Sequence, residues 1–278
     1  MLMRLGNMQT FYLLSGLPRS GSTLLSSILN QNPDFYASPN SPVIHAVRSV
    51  HDNIVFSEQY QAYPQPDNLK NSLLGVIGGY YKETNKKYIL DKSRDWSIPE
   101  NLNIISGILP YKPKLIIMVR DILDILASFI NLANQNEGKH TMLDSKITTD
   151  DYYFYRPPND IRCDYLMAPR GPIDGAMYGI ANALSNENRS HTMIIEYENF
   201  ISDAPATMNA IYDFLELPRY GHNFENIINT VKENDEVYGL IGMHDVRPTI
   251  AKRELDRDSI LSDYVINKYS NLEFWRNQ

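Results

Sequence analysis

Two arginines, a lysine and a run of hydroxyls are the groups in this chain best suited to hold and transform an anion. Residues 16 to 23 read Gly-Leu-Pro-Arg-Ser-Gly-Ser-Thr. Gly16 and Gly21 permit a tight backbone turn, so the N–H groups of Ser20, Gly21, Ser22 and Thr23 can converge on one bound anion. Arg19 adds a fixed positive charge, and the hydroxyls of Ser22 and Thr23 add donors. Further along, Lys92 and Arg120 each follow an apolar run, Tyr88-Ile89-Leu90 and Leu115 to Val119. An arginine at a strand end can clamp a phosphate through two N–H groups, and Ser128, two turns into the next helix, can add a hydroxyl. Such a set can bind a ligand with several anionic groups. It can also neutralise charge that develops while one of those groups is transferred.

These residues need elements to position them, and the hydrophobic pattern supplies them. Phe11 to Leu14 has the continuous apolar character of a strand buried on both faces. Leu24, Leu25, Ile28 and Leu29 follow at helical spacing, so the glycine loop lies between a strand and a helix. Further strands are expected at 87–91, 114–119 and 192–197. Helices are expected from Val43 to Ile54, Leu69 to Tyr81, Pro99 to Leu109, Ile122 to Ala133, Gly171 to Leu184 and Pro205 to Leu215. Asn32-Pro33-Asp34 stops the first helix, and Ser38 to Pro42 reads as a turn-rich link. Strands alternating with helices predict an α/β fold with a central, mainly parallel sheet of four or five strands and helices on both faces. Ligands of such sheets bind outside the carboxyl ends of the strands, where Lys92 and Arg120 fall.

Bulk properties narrow the possibilities. The chain has 278 residues, 43% hydrophobic and 21% charged, which suits one globular domain spanning 1–278. Its formal net charge of -7 and lack of a basic tail argue against nucleic acid or anionic membrane as partner. An anionic ligand must therefore be held by local cations and amides. Cys163 is the one cysteine, which excludes an internal disulfide and a zinc cluster of cysteines. No stretch approaches the roughly 18 apolar residues of a membrane span, and the first ten residues lack a signal-peptide core. The expected location is cytoplasmic.

The glycine loop nearly matches the nucleotide-binding pattern G-x-x-x-x-G-K-[ST], with Ser22 where lysine should stand. A phosphotransferase using Arg19 in its place is one alternative, but the strand ending in Arg120 offers no clear acidic ligand for Mg²⁺. Pro18 to Thr23 instead resembles the 5′-phosphosulfate loop, P-[RK]-S-G-[ST]-T, of sulfotransferases, which bind 3′-phosphoadenosine-5′-phosphosulfate (PAPS). Leu115 to Ser128 resembles their 3′-phosphate motif, L-x-x-x-V-R-D-x-x-D-x-x-x-S, with Ile122 where proline is usual. Asp91-Lys92-Ser93 resembles the lysine-bearing segment of the heparan and tyrosylprotein enzymes. Ile195 to Phe200 resembles the I-x-Y-E-x-[LF] strand that carries a tyrosine near adenine.

The resemblance implies a P-loop-like three-layer α/β fold and transfer of a sulfuryl group from PAPS to a hydroxyl, less readily an amine, without a metal. Ser20, Gly21, Ser22 and Thr23 would hold the phosphosulfate, with Arg19 and Lys92 stabilising charge on its oxygens. Arg120 and Ser128 would clamp the 3′-phosphate, Tyr197 would lie at the adenine, and Arg247, Lys252 and Arg253 would close over the nucleotide. Asn40 falls where the heparan and tyrosylprotein enzymes carry a glutamate. His45 and His51 are the titratable candidates nearby, with His45, closer to the loop in sequence, expected as the base. A non-catalytic PAPS-binding protein is a further alternative. The polar stretch 134–167, with Tyr152, Tyr153, Tyr155 and Tyr165, is expected as an irregular acceptor-side insertion. The acceptor itself, a small molecule, a carbohydrate or a tyrosine-containing chain, is not written in the sequence.

Overall fold

Five strands form one sheet in the order β2-β3-β1-β4-β5: β1 (Thr10–Gly16), β2 (Phe35–Asn40), β3 (Tyr88–Lys92), β4 (Leu115–Val119) and β5 (Thr192–Glu196). Every neighbouring pair is parallel. The computed structural model describes residues 9–138, 141–144, 157–185, 187–251 and 255–277. Side chains alternate between two cores, as the pleat demands. Phe11, Leu13, Ile89, Leu115, Ile117 and Val119 pack on one face with the helices Val43–Val55, Pro66–Tyr80, Pro99–Ile108 and Ile122–Gln135. Tyr12, Leu14, Leu90, Ile116 and Met118 pack on the other with Ser22–Leu29 and Ala204–Leu215. Both faces are covered, which is why these strands read as unbroken apolar runs.

The chain leaves β1 toward β2 and β3 on one side and reaches β4 on the other. The two helices that follow β1 and β4 cover opposite faces, so a crevice opens at the carboxyl ends between those strands. Register brings the functional groups to that rim. Leu14 pairs with Lys92, Asn40 with Lys92, Gly16 with Met118, and Val119 with Glu196.

Two expectations need correction. Phe35–Asn40 is a strand rather than a link; it lies at the sheet edge, and its register slips between Ala37 and Asn40, where Pro39 sits. An edge position with a local irregularity is where a sheet tolerates proline. Second, the stretch 134–167 is not irregular throughout. Pro158–Met167 is a helix whose Cys163 and Leu166 join the core, and burial pushes the Cys163 thiol up to about 12, a packing group rather than a nucleophile. Tyr152, Tyr153 and Tyr155 lie outside the described residues. Among the described residues no helix is long and apolar enough to cross a membrane.

Candidate active site

The loop after β1 is shaped by its glycines. Gly16 has φ 137°, and a Cβ there would lie 2.1 Å from the Met118 carbonyl oxygen of β4. Gly21, with φ 88°, caps the Ser22–Leu29 helix, and a Cβ there would come within 2.8 Å of the Tyr197 ring. Ser20 is buried and donates its hydroxyl to the Leu17 carbonyl at 2.6 Å, which braces the turn from within. No side chain caps this helix. Its first-turn N–H groups are therefore available to an anion, with the positive end of the helix dipole behind them.

At one end of the crevice Arg120 leaves β4 with its side chain only 7% exposed. Its Nη1 donates to the Arg19 carbonyl at 3.1 Å, its guanidinium lies 4.5 Å from the centre of the Tyr197 ring, and Asp124 approaches to 3.8 Å. Its buried Nε has no hydrogen-bond partner among the described residues. Arg19, held at φ 59°, donates from Nε to Ser128 Oγ at 3.2 Å and from Nη1 to the Met243 carbonyl. Arg19, Arg120, Ser128 and Tyr197 thus meet in one corner.

At the other end Lys92 is buried between the loop and the C-terminal segment. Its Nζ donates to Thr23 Oγ1 at 3.3 Å and pairs with Glu233 Oε1 at 3.2 Å. Burial pulls the Lys92 ammonium below its usual range, opposed by Glu233. Burial acts to raise the Glu233 carboxyl, but Lys92, the Asn40 N–H and His244 outweigh it and hold the group below the ordinary carboxylate range. His244 stands beside this pair, 3.6 Å from Glu233 Oε2, with Nδ1 2.6 Å from Asp235 Oδ1. Both corners line a single cavity with Ser22, Thr23, Asn40, Arg94, Ile201, Arg247 and Ile250.

A family model described as the sulfotransferase family matches residues 13–221. The chain belongs to the sulfotransferase family. A sulfotransferase domain from the curacin biosynthetic pathway shares the fold at TM-score 0.50 and 15% identity, with 88% of this chain and 80% of that chain covered. A sulfotransferase from Alicyclobacillus acidocaldarius aligns at TM-score 0.48 and 15% identity over 82% of this chain and 87% of that one. A retinol dehydratase solved with androsterone and the inactive cofactor PAP aligns at TM-score 0.46 and 12% identity over 98% and 82%. No curated protein matches the sequence.

In this sulfotransferase-family chain the expected site residues divide clearly. Arg19, Gly21, Ser22, Thr23, Lys92, Arg120, Ser128, Tyr197 and Arg247 line the cavity. Ser20 lies beneath the loop, so its side chain serves the turn and only its backbone can face a ligand. The Arg19 guanidinium lies at the Ser128 corner rather than beside Lys92, where charge stabilisation of the sulfuryl oxygens was expected. His45 does not line the cavity: its side chain is 64% exposed and pairs with Asp95 at 3.4 Å. Lys252 and Arg253 lie outside the described residues. Sequence reasoning missed Glu233, Asp235 and His244 as a group. His244 stood out between Gly242 and Arg247, but nothing in its spacing points to Asp235 or to a meeting with the distant Lys92.

Proposed function

We propose that the protein transfers the sulfuryl group of PAPS to a hydroxyl acceptor, and less readily to an amine, leaving adenosine 3′,5′-bisphosphate. One observation carries this reading. Among the described residues, the buried Arg120 guanidinium has no partner for its Nε and no carboxylate nearer than 3.8 Å. It stands beside Ser128 and Arg19 at one end of the crevice that holds the glycine loop. A buried cation so incompletely paired favours an anionic ligand. The uncapped helix start and Lys92 fit a second anion at the other end. Two anion sites joined by one cavity fit a nucleotide phosphorylated at both its 3′ and 5′ positions.

PAPS, when bound, supplies the sulfuryl group and carries away the electron pair of the broken S–O bond on its 5′-phosphate. The chain's own groups do the rest. The amides of Gly21, Ser22 and Thr23 and the two hydroxyls hold the 5′ end. Lys92, anchored to Thr23, neutralises charge at the oxygens around the reacting sulfur. Arg120, Ser128 and, by its position here, Arg19 clamp the 3′-phosphate. Tyr197 supports Arg120 from below and borders the adenine side with Ile201 and Ile250, and Arg247 flanks the nucleotide from the C-terminal segment. The acceptor would approach the Lys92 corner, which Asn40, Glu233 and His244 border.

Calorimetric titration with adenosine 3′,5′-bisphosphate and with ADP tests the assignment. The bisphosphate is expected to bind at least about tenfold more tightly, the difference one charge-assisted contact to a phosphate supplies. Equal affinities would overturn it.

A further inference from the structure

A hydroxyl acceptor must lose a proton as its oxygen bonds to sulfur, so the Lys92 corner needs a base that faces the cavity. Around Lys92 stand Thr23, Asn40, Arg94, Glu233 and His244. Thr23 and Asn40 are not proton acceptors at neutral pH, and Arg94 is permanently charged. Glu233 is already engaged: Asn40 donates to both of its oxygens and Lys92 pairs with one. Among the described residues beside the Lys92–Glu233 pair, the remaining group is the imidazole of His244, which lines the cavity.

We infer that His244 is the general base of this site, held in place by Asp235 as a positioning residue. The inference rests on the sulfuryl-transfer reading above. Asp235 accepts from His244 twice, from Nδ1 at 2.6 Å and from the backbone N–H at 3.0 Å. A carboxylate only accepts, so Nδ1 carries a proton, which in the neutral imidazole leaves the lone pair on Nε2. Asn40 agrees with that assignment. Its Nδ2 has two hydrogens, one directed to Glu233 Oε2 at 2.8 Å and one to His244 Nε2 at 3.2 Å. An acceptor hydroxyl takes the place of that second bond. Its O–H proton passes to Nε2 and its oxygen bonds to sulfur, while the sulfur–oxygen bond to the 5′-phosphate breaks and the electron pair leaves with the phosphate. The imidazolium then lies between the carboxylates of Asp235 and Glu233, with Lys92 beyond Glu233 and the Tyr238 ring 5.9 Å away.

Two measurements test this. The first is the nitrogen-15 spectrum of the imidazoles in the complex with adenosine 3′,5′-bisphosphate, with His244 assigned by its loss in His244→Gln. The proton is expected on Nδ1, and Asp235→Asn should redistribute it toward Nε2. A wild-type His244 protonated on Nε2 overturns the inference, whatever the acceptor. The second compares phenol with pentafluorophenol as acceptors for PAPS. His244→Gln should slow transfer to phenol about 100-fold or more, yet slow transfer to the acidic pentafluorophenol, which ionises unaided, far less. Equal losses overturn the inference. If instead the wild type binds the bisphosphate no better than ADP, the sulfuryl-transfer reading fails, and the spectrum still judges the imidazole.

Discussion

Asn40 holds the Glu233 carboxylate at both oxygens, with its backbone N–H 3.0 Å from Oε1 and its Nδ2 2.8 Å from Oε2. That grip brings a carboxylate from the C-terminal segment to the end of an edge strand and places it on Lys92. The ion pair is nearly dry, with side chains 4% and 11% exposed. Glu233→Gln therefore leaves a buried ammonium without its countercharge, and unfolding in urea should show a loss of about 3 kcal/mol. The sign with pH follows from the direction of the shift. Glu233 is held below its unfolded value, so its contribution is present above the unfolded carboxylate range and is lost as pH falls through the folded value. The stability gap between wild type and variant should close in acid; a constant gap would show that the pair is not ionised.

Much of this arrangement is legible in the sequence alone. Leu115 to Val119 followed by Arg120 announces a buried strand ending in a cation, and the glycine loop announces a turn into a helix, because both signals are local. Phe35–Asn40 was not legible as a strand, since Ser38, Pro39 and Asn40 read as turn residues and only the edge position tolerates them. The cluster of Asn40, Lys92, Glu233, Asp235 and His244 was hidden for another reason. It is assembled by tertiary contacts between segments with no shared period or motif, and a lone histidine in a sequence carries no record of which carboxylate it meets.

Arg120→Ala removes the guanidinium that meets the Arg19 carbonyl and the Tyr197 ring in the corner proposed for the 3′-phosphate. The affinity for adenosine 3′,5′-bisphosphate should fall roughly 10- to 100-fold, the range of a charge-assisted contact. ADP, which lacks the 3′-phosphate, should be affected much less. Parallel calorimetric titrations decide it, and equal losses for both ligands would place Arg120 in support of the fold instead.

Gly16 and Gly75 make a contrast. A Cβ at Gly16 would press on the backbone of β4 at 2.1 Å from a φ of 137°, so Gly16→Ala should cost about 4 kcal/mol or more. Gly75 lies within the Pro66–Tyr80 helix with nothing within 4 Å of its added Cβ, so Gly75→Ala should stabilise by about 1 kcal/mol. Urea titrations of both variants check the pair of signs.

His45→Ala should leave turnover within about twofold of wild type, because an exposed imidazole paired with Asp95 has no access to the cavity. A large loss of turnover with unchanged nucleotide affinity would restore His45 as the base and displace His244.

Lys92 separates binding from chemistry. Its Nζ is anchored by Thr23 and Glu233 at the end of the crevice assigned to the sulfuryl group, away from the Arg120 corner. Charge on the bridging oxygen grows only as the S–O bond breaks, so the ammonium acts more strongly on the transition state than on the bound nucleotide. Lys92→Met should lower kcat about 100-fold or more while the affinity for adenosine 3′,5′-bisphosphate changes about threefold or less. The single change also strands Glu233, which adds a structural cost to the chemical one. Lys92→Met combined with Glu233→Gln removes both charges, and stability should return toward wild type because no uncompensated ion is left buried. Turnover should stay low. If the double variant recovered turnover along with stability, the lysine would be a packing partner of Glu233 and not part of the chemistry.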